Sequence, residues 1–69
     1  MIDERLIDAI RAKYQWEMKD SVSKINLELT NPSEDSSEKI DSLVDFFSRT
    51  KEKASYFEAI IKNIKGEED

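Results

Sequence analysis

From Ile40 onward, apolar side chains recur at alternating steps of three and four: Ile40, Leu43, Phe47, Ala54, Phe57, Ile61 and Ile64, with Thr50 holding the step between Phe47 and Ala54. Such a heptad line gives one side of a helix a continuous seam that another helix must cover. An earlier stripe, Ile7, Ile10, Tyr14, Met18, Val22, Ile25 and Leu29, predicts a first helix. Its spacing of 3-4-4-4-3-4 has two more steps of four than a strict heptad, so the seam is expected to straighten between Tyr14 and Val22.

Boundary signals frame both stripes. Helix one is expected over about 3–29, with the Asp3 carboxylate capping the first free N–H groups and Glu4 at the positive end of the dipole. A turn follows over about 30–35. There Asn31-Pro32-Ser33-Glu34 reads as a helix start with Asn31 as cap and Pro32 at the first helical position, and Ser36 or Ser37 offers a later start. The same Asn31-Pro32-Ser33 fits the glycosylation spacing, but the middle Pro excludes the acceptor. Helix two is expected over about 36–65, with Lys62 and Lys65 near its negative end, Gly66 as a left-handed cap and 66–69 as an acidic tail.

So short a connection sets the helices antiparallel. Pairing them from the turn outward puts Ile25 near Ile40, Val22 near Leu43, Met18 near Phe47, Tyr14 near Thr50, Ile10 near Ala54 and Ile7 near Phe57. The predicted fold is all-α, a single antiparallel two-helix hairpin over 1–69. Leu6, Leu43, Val44, Phe46, Ile60 and Ile64 widen the apolar stripes beyond what one partner helix covers. The hairpin is therefore expected to dimerise into a four-helix bundle or to dock on a larger protein. The residues expected to carry self-association are Ile40, Leu43, Val44, Phe46, Phe47, Phe57, Ile60, Ile61 and Ile64.

Composition strengthens the expectation of a partner. Sixty-nine residues without Cys or His have neither disulfides nor the usual zinc ligands to staple a small core. Charged residues make up 39%, with one Gly and one Pro, as in long solvated helices. Eleven basic against sixteen acidic residues give a net charge of −5, which argues against coating a phosphate backbone. Acidic residues occupy the positions where a signal peptide carries positive charge, and no apolar run approaches membrane-spanning length, so a soluble cytoplasmic protein is expected.

Charge is also partitioned along helix two. Residues 30–48 hold five acids and one base, whereas 49–65 hold five bases and two acids. Glu34, Glu38, Asp41 and Asp45 form an acidic strip opposite the seam, read first as a solvated face, with a docking strip for a basic partner or a divalent-cation site as the alternatives. Trp16 falls outside the seam of helix one, with Arg5, Lys13 and Lys19 near it, and Arg49, Lys53 and Tyr56 share a flank of helix two. These seven residues are the expected partner-binding set. An outward Trp serves a protein interface, stacks on a nucleobase, or lies on the surface beneath lysine stems.

Eight serines have no His to act as base, no Gly-rich phosphate loop exists, and the carboxylates fall on exposed helix faces. No catalytic, cofactor-binding or metal-ligating residue and no small-molecule substrate is expected. In architecture alone, a dimerising helical hairpin resembles the plasmid copy-number regulators that bind RNA hairpins, and Asn31-Pro32-Ser33 resembles the turn of type III secretion needle subunits. The reading is a non-enzymatic interaction or regulatory module. The alternative is an accessory protein touching single-stranded nucleic acid through the basic, aromatic end of the hairpin.

Overall fold

In a computed structural model, described over residues 2–68, the chain is an all-α antiparallel hairpin of α1 (Glu4–Thr30) and α2 (Ser36–Glu68). It measures 54 × 17 × 11 Å, one helix thick in its smallest dimension.

Asp3 starts α1 as expected: its backbone is extended and its carboxylate accepts from the N–H groups of Arg5 (3.0 Å) and Leu6 (3.3 Å). Asn31 closes α1 instead of opening α2, donating its backbone N–H to the Leu27 carbonyl at 2.9 Å. The start of α2 is built on serines. Ser36 Oγ accepts from the Ser33 N–H at 2.7 Å, and the Ser36 N–H donates to the Ser33 carbonyl at 3.2 Å. This is one arm of a capping box, with a serine in the position usually held by Glu or Gln. The Ser36 hydroxyl also donates to Glu28 at 2.8 Å, tying α2 to the last turn of α1.

At the far end the expected Gly66 cap does not form. No glycine has positive φ, and α2 runs through Gly66 to Glu68. Nothing lies within 4 Å of a Cβ built on Gly66, so no close approach demands a glycine there. Of the expected acidic tail, Glu67 and Glu68 are helical and Asp69 lies outside the described residues.

The seam of α2 follows its heptads, with Ser36, Thr50 and Ile61 buried and Ile40, Leu43, Phe47, Ala54 and Phe57 half-buried between them. The seam of α1 departs from expectation. Ser21 is buried at 1% exposure while Val22 is 54% exposed, and Glu28 is half-buried while Leu29 is 66% exposed. The inner line is thus Ile7, Tyr14, Ser21 and Glu28 at steps of seven, flanked by Arg11, Met18 and Ile25. Seven-residue periodicity now holds on both helices, and the expected straightened stretch is replaced by a regular seam. The Ser21 hydroxyl donates to the Glu17 carbonyl at 3.0 Å, which removes the penalty of burying it.

Register differs for the long side chains. The Tyr14 ring meets Phe57 edge-on, centroids 6.2 Å apart, seven positions past the expected Thr50. Side chains lean toward the N-terminus of their own helix, so on antiparallel helices long ones lean toward each other and meet across an offset that pairing by residue number ignores. Among the described residues no helix is long and apolar enough to cross a membrane.

Candidate association surface

A flat hairpin has two broad sides, and the seam divides the remaining residues between them. One side contains a groove lined by Trp16, Glu17, Asp20 and Lys24 of α1 with Ser42, Leu43 and Phe46 of α2. Positions seven apart share a side of a helix in such a pair. Leu6, Lys13 and Leu27 therefore fall with Asp20, and Lys53 and Ile60 with Phe46; Arg49 and Tyr56 extend the line of Ser42. This is the Trp16 side. The opposite groove is lined by Met18, Lys19, Val22, Ser23 and Asn26 with Phe47. Ser23 lies seven positions after Trp16, so that line, pointing away from the seam, borders both grooves, and the Trp16 ring lies over the first. Leu29 extends the line of Val22, and Val44 flanks α2 on that side.

Exposed apolar surface is divided unequally. Leu6, Trp16, Leu27, Phe46, Tyr56 and Ile60 are exposed on the Trp16 side, against Val22, Leu29 and Val44 opposite. Ile64 continues the α2 seam at the open end and is 39% exposed.

Ion pairs between the helices have the reverse distribution. Arg11 grips Glu58 bidentately through Nε (2.7 Å) and Nη2 (2.8 Å), and Lys65 pairs with Glu4 at 3.1 Å. By spacing, both pairs fall on the side of Val22, hereafter the Arg11 side. The fork on Glu58 is a charge-assisted, two-point contact. Hydrogen bonding from Arg11, followed by its charge, holds the Glu58 carboxyl below the usual carboxylate range, and the same bond raises Arg11. Asp35 in the turn is lowered as well, first by the Ser33 hydroxyl at 2.7 Å, then by its own backbone N–H. On the Trp16 side the charges pair within their own helices: Lys24 with Asp20 at 2.8 Å, and Arg49 with Asp45.

The expected site residues separate accordingly. Ile40, Leu43, Phe47, Phe57 and Ile61 of the self-association set lie along the seam between the helices, Ile61 buried and the others half-buried. Phe46 and Ile60 lie on the Trp16 side, Val44 on the Arg11 side, and Ile64 at the end of the seam. From the partner-binding set, Lys13, Trp16, Arg49, Lys53 and Tyr56 come together on the Trp16 side. Lys19 lines the opposite groove, and Arg5, two heptads earlier on the same line, turns with it. The acidic strip does not converge: Asp45 is engaged by Arg49, and no group of three or more potential metal ligands gathers among the described residues.

Reading the sequence for apolar residues alone missed Ser21, Glu28 and the Arg11–Glu58 fork. Counting in sevens from Ile7 and Tyr14 reaches both Ser21 and Glu28, so the signal was present in the spacing. No protein-family model, curated protein or solved structure matches the chain.

Proposed function

We propose that this chain is a small non-enzymatic association module that packs the Trp16 side of its hairpin against helices of another polypeptide, a second copy or a larger protein. The observation that carries this reading is the separation of the two sides. Six large apolar side chains stand exposed on one, while the ion pairs that tie α1 to α2 lie on the other. An excess of exposed large apolar side chains on one side, interspersed with charge, marks that side as the one with area to bury against a partner. Trp, Tyr and Arg, the residues that dominate binding energy at interfaces, are all present on it.

The interior supports the same reading. Only Ile7 and Ile61 are buried apolar residues among those described, and the other buried side chains are Ser21, Ser36 and Thr50. Two helices with so little apolar interior gain most from further helices packed alongside. The displaced carboxyls, Glu58 and Asp35, are held by neighbours that secure the hairpin and its turn, which suits a structural part better than acid–base chemistry.

The test is site-specific photo-cross-linking in the native cell, with benzoylphenylalanine at Leu6 or Tyr56 on one side and at Val22 or Asn26 on the other. Adducts, with the chain itself or another protein, are expected from the first pair only. Equal yields from both sides, or adducts from Val22 and Asn26 alone, contradict the proposal. The nucleic-acid reading retains one specific observation, the grouping of Lys13, Trp16, Lys53 and Tyr56 on one side. It requires quenching of Trp16 fluorescence by single-stranded DNA or RNA that weakens steeply with salt.

A further inference from the structure

The geometry points to a second copy of this chain as the occupant of the Trp16 side, packed antiparallel about a two-fold axis that passes between Trp16 and Glu17. This rests on the association reading above and specifies its partner.

The first support is a palindrome in α1. Leu6, Lys13, Asp20 and Leu27 lie on one line at steps of seven. Two such lines laid antiparallel about a centre between residues 16 and 17 place Leu6 on Leu27 of the other copy and Lys13 on its Asp20. The two-fold repeats both pairings, as an isologous interface requires. Laid parallel, the same line sets Lys13 against Lys13 and Asp20 against Asp20, which is repulsive at both positions. Lys13 makes no ion pair within its own chain among the described residues, and Asp20 holds Lys24 through Oδ2, which leaves Oδ1 to accept Lys13 of the other copy. Arg49 brings little bare charge to this surface because Asp45 engages it.

The second support is area. The hairpin exposes 5719 Å². A compact folded monomer of 8.1 kDa is expected to expose about 4500 Å². The excess of roughly 1200 Å² per chain exceeds the ~800 Å² each partner buries in a standard interface. The surface the hairpin carries beyond a compact fold is thus enough to supply one interface of standard size.

Two measurements on the full chain test the arrangement. The first is a charge swap read by sedimentation equilibrium. K13D is expected to weaken dimerisation about tenfold by facing Asp20 with a like charge, and K13D/D20K to restore it to within about threefold. An unaffected single variant, or a double variant no tighter than the single, overturns the register. The second is the spin–spin distance in E34C labelled at the turn, where no native Cys competes. The antiparallel dimer separates the two turns by about 50 Å, from a rise of ~1.5 Å per residue on either side of the axis. A distance below about 25 Å indicates a parallel pair, and a monomer at every concentration removes the second copy; either overturns the inference. Cross-linked foreign protein at Leu6 with a monomeric chain leaves the association reading standing, whereas adducts confined to the Arg11 side remove both.

Discussion

The two broad sides of this hairpin are built from the same two helices, yet one is closed by ions and the other left open to apolar contact. On the Arg11 side, the Arg11–Glu58 fork and the Glu4–Lys65 pair bridge the helices where water screens them. Such exposed pairs contribute little stability and mainly fix which residues sit opposite. On the Trp16 side no such bridge spans the groove among the described residues, and Trp16 and Phe46 edge it instead, with Ile60 exposed further along α2. In this contrast the seam sets the hairpin's geometry, the ion pairs fix its register, and the remaining apolar area is what the proposed association would cover.

The largest effect is expected where both sides share support. Ile61→Ala removes one of two buried apolar anchors and should destabilise the chain by about 2–4 kcal/mol, seen as loss of helical circular dichroism at low concentration. An unchanged melting curve would mean that the seam is not what holds the helices. Next comes Trp16→Ala, expected to weaken association by about 2 kcal/mol, roughly thirtyfold, with helicity kept. Val44→Ala on the other side should change it less than twofold. Equal effects would erase the distinction between the sides.

The smallest effect concerns the ion-paired side. Glu58 is depressed in the folded chain, so its contribution is present above the unfolded carboxylate pKa and is lost as pH falls through the folded value. Glu58→Gln should therefore melt slightly below the parent at pH 7. As acid protonates Glu58, the two melting temperatures should converge. A gap that persists or widens in acid would assign the stabilisation elsewhere.

Much of the fold was legible because periodicity is a property of the sequence. The α2 seam reads directly from Ile40 to Ile61, and Asp3 caps α1 through its own side chain, needing no distant partner. Ser21 was obscured because the eye follows Val22, although a small hydroxyl satisfied by its own helix packs well where the helices are close. Gly66 carries a C-cap signal, but the helix continues past it to Glu68. For the surface, the sequence showed an excess of apolar residues without dividing them. Which side each residue takes depends on the rotation of α1 about its axis, and the exchange of Val22 for Ser21 in the seam sets that rotation.

The most direct measurement is the fluorescence of Trp16, the only Trp in the chain, followed over protein concentration beside sedimentation. In the isolated hairpin Trp16 is 66% exposed. The account predicts that its emission shifts to the blue and its quenching by acrylamide falls over the same concentration range in which the mass doubles. An assembled species whose Trp16 remains red-emitting and fully quenchable would contradict it, placing the interface on the Arg11 side.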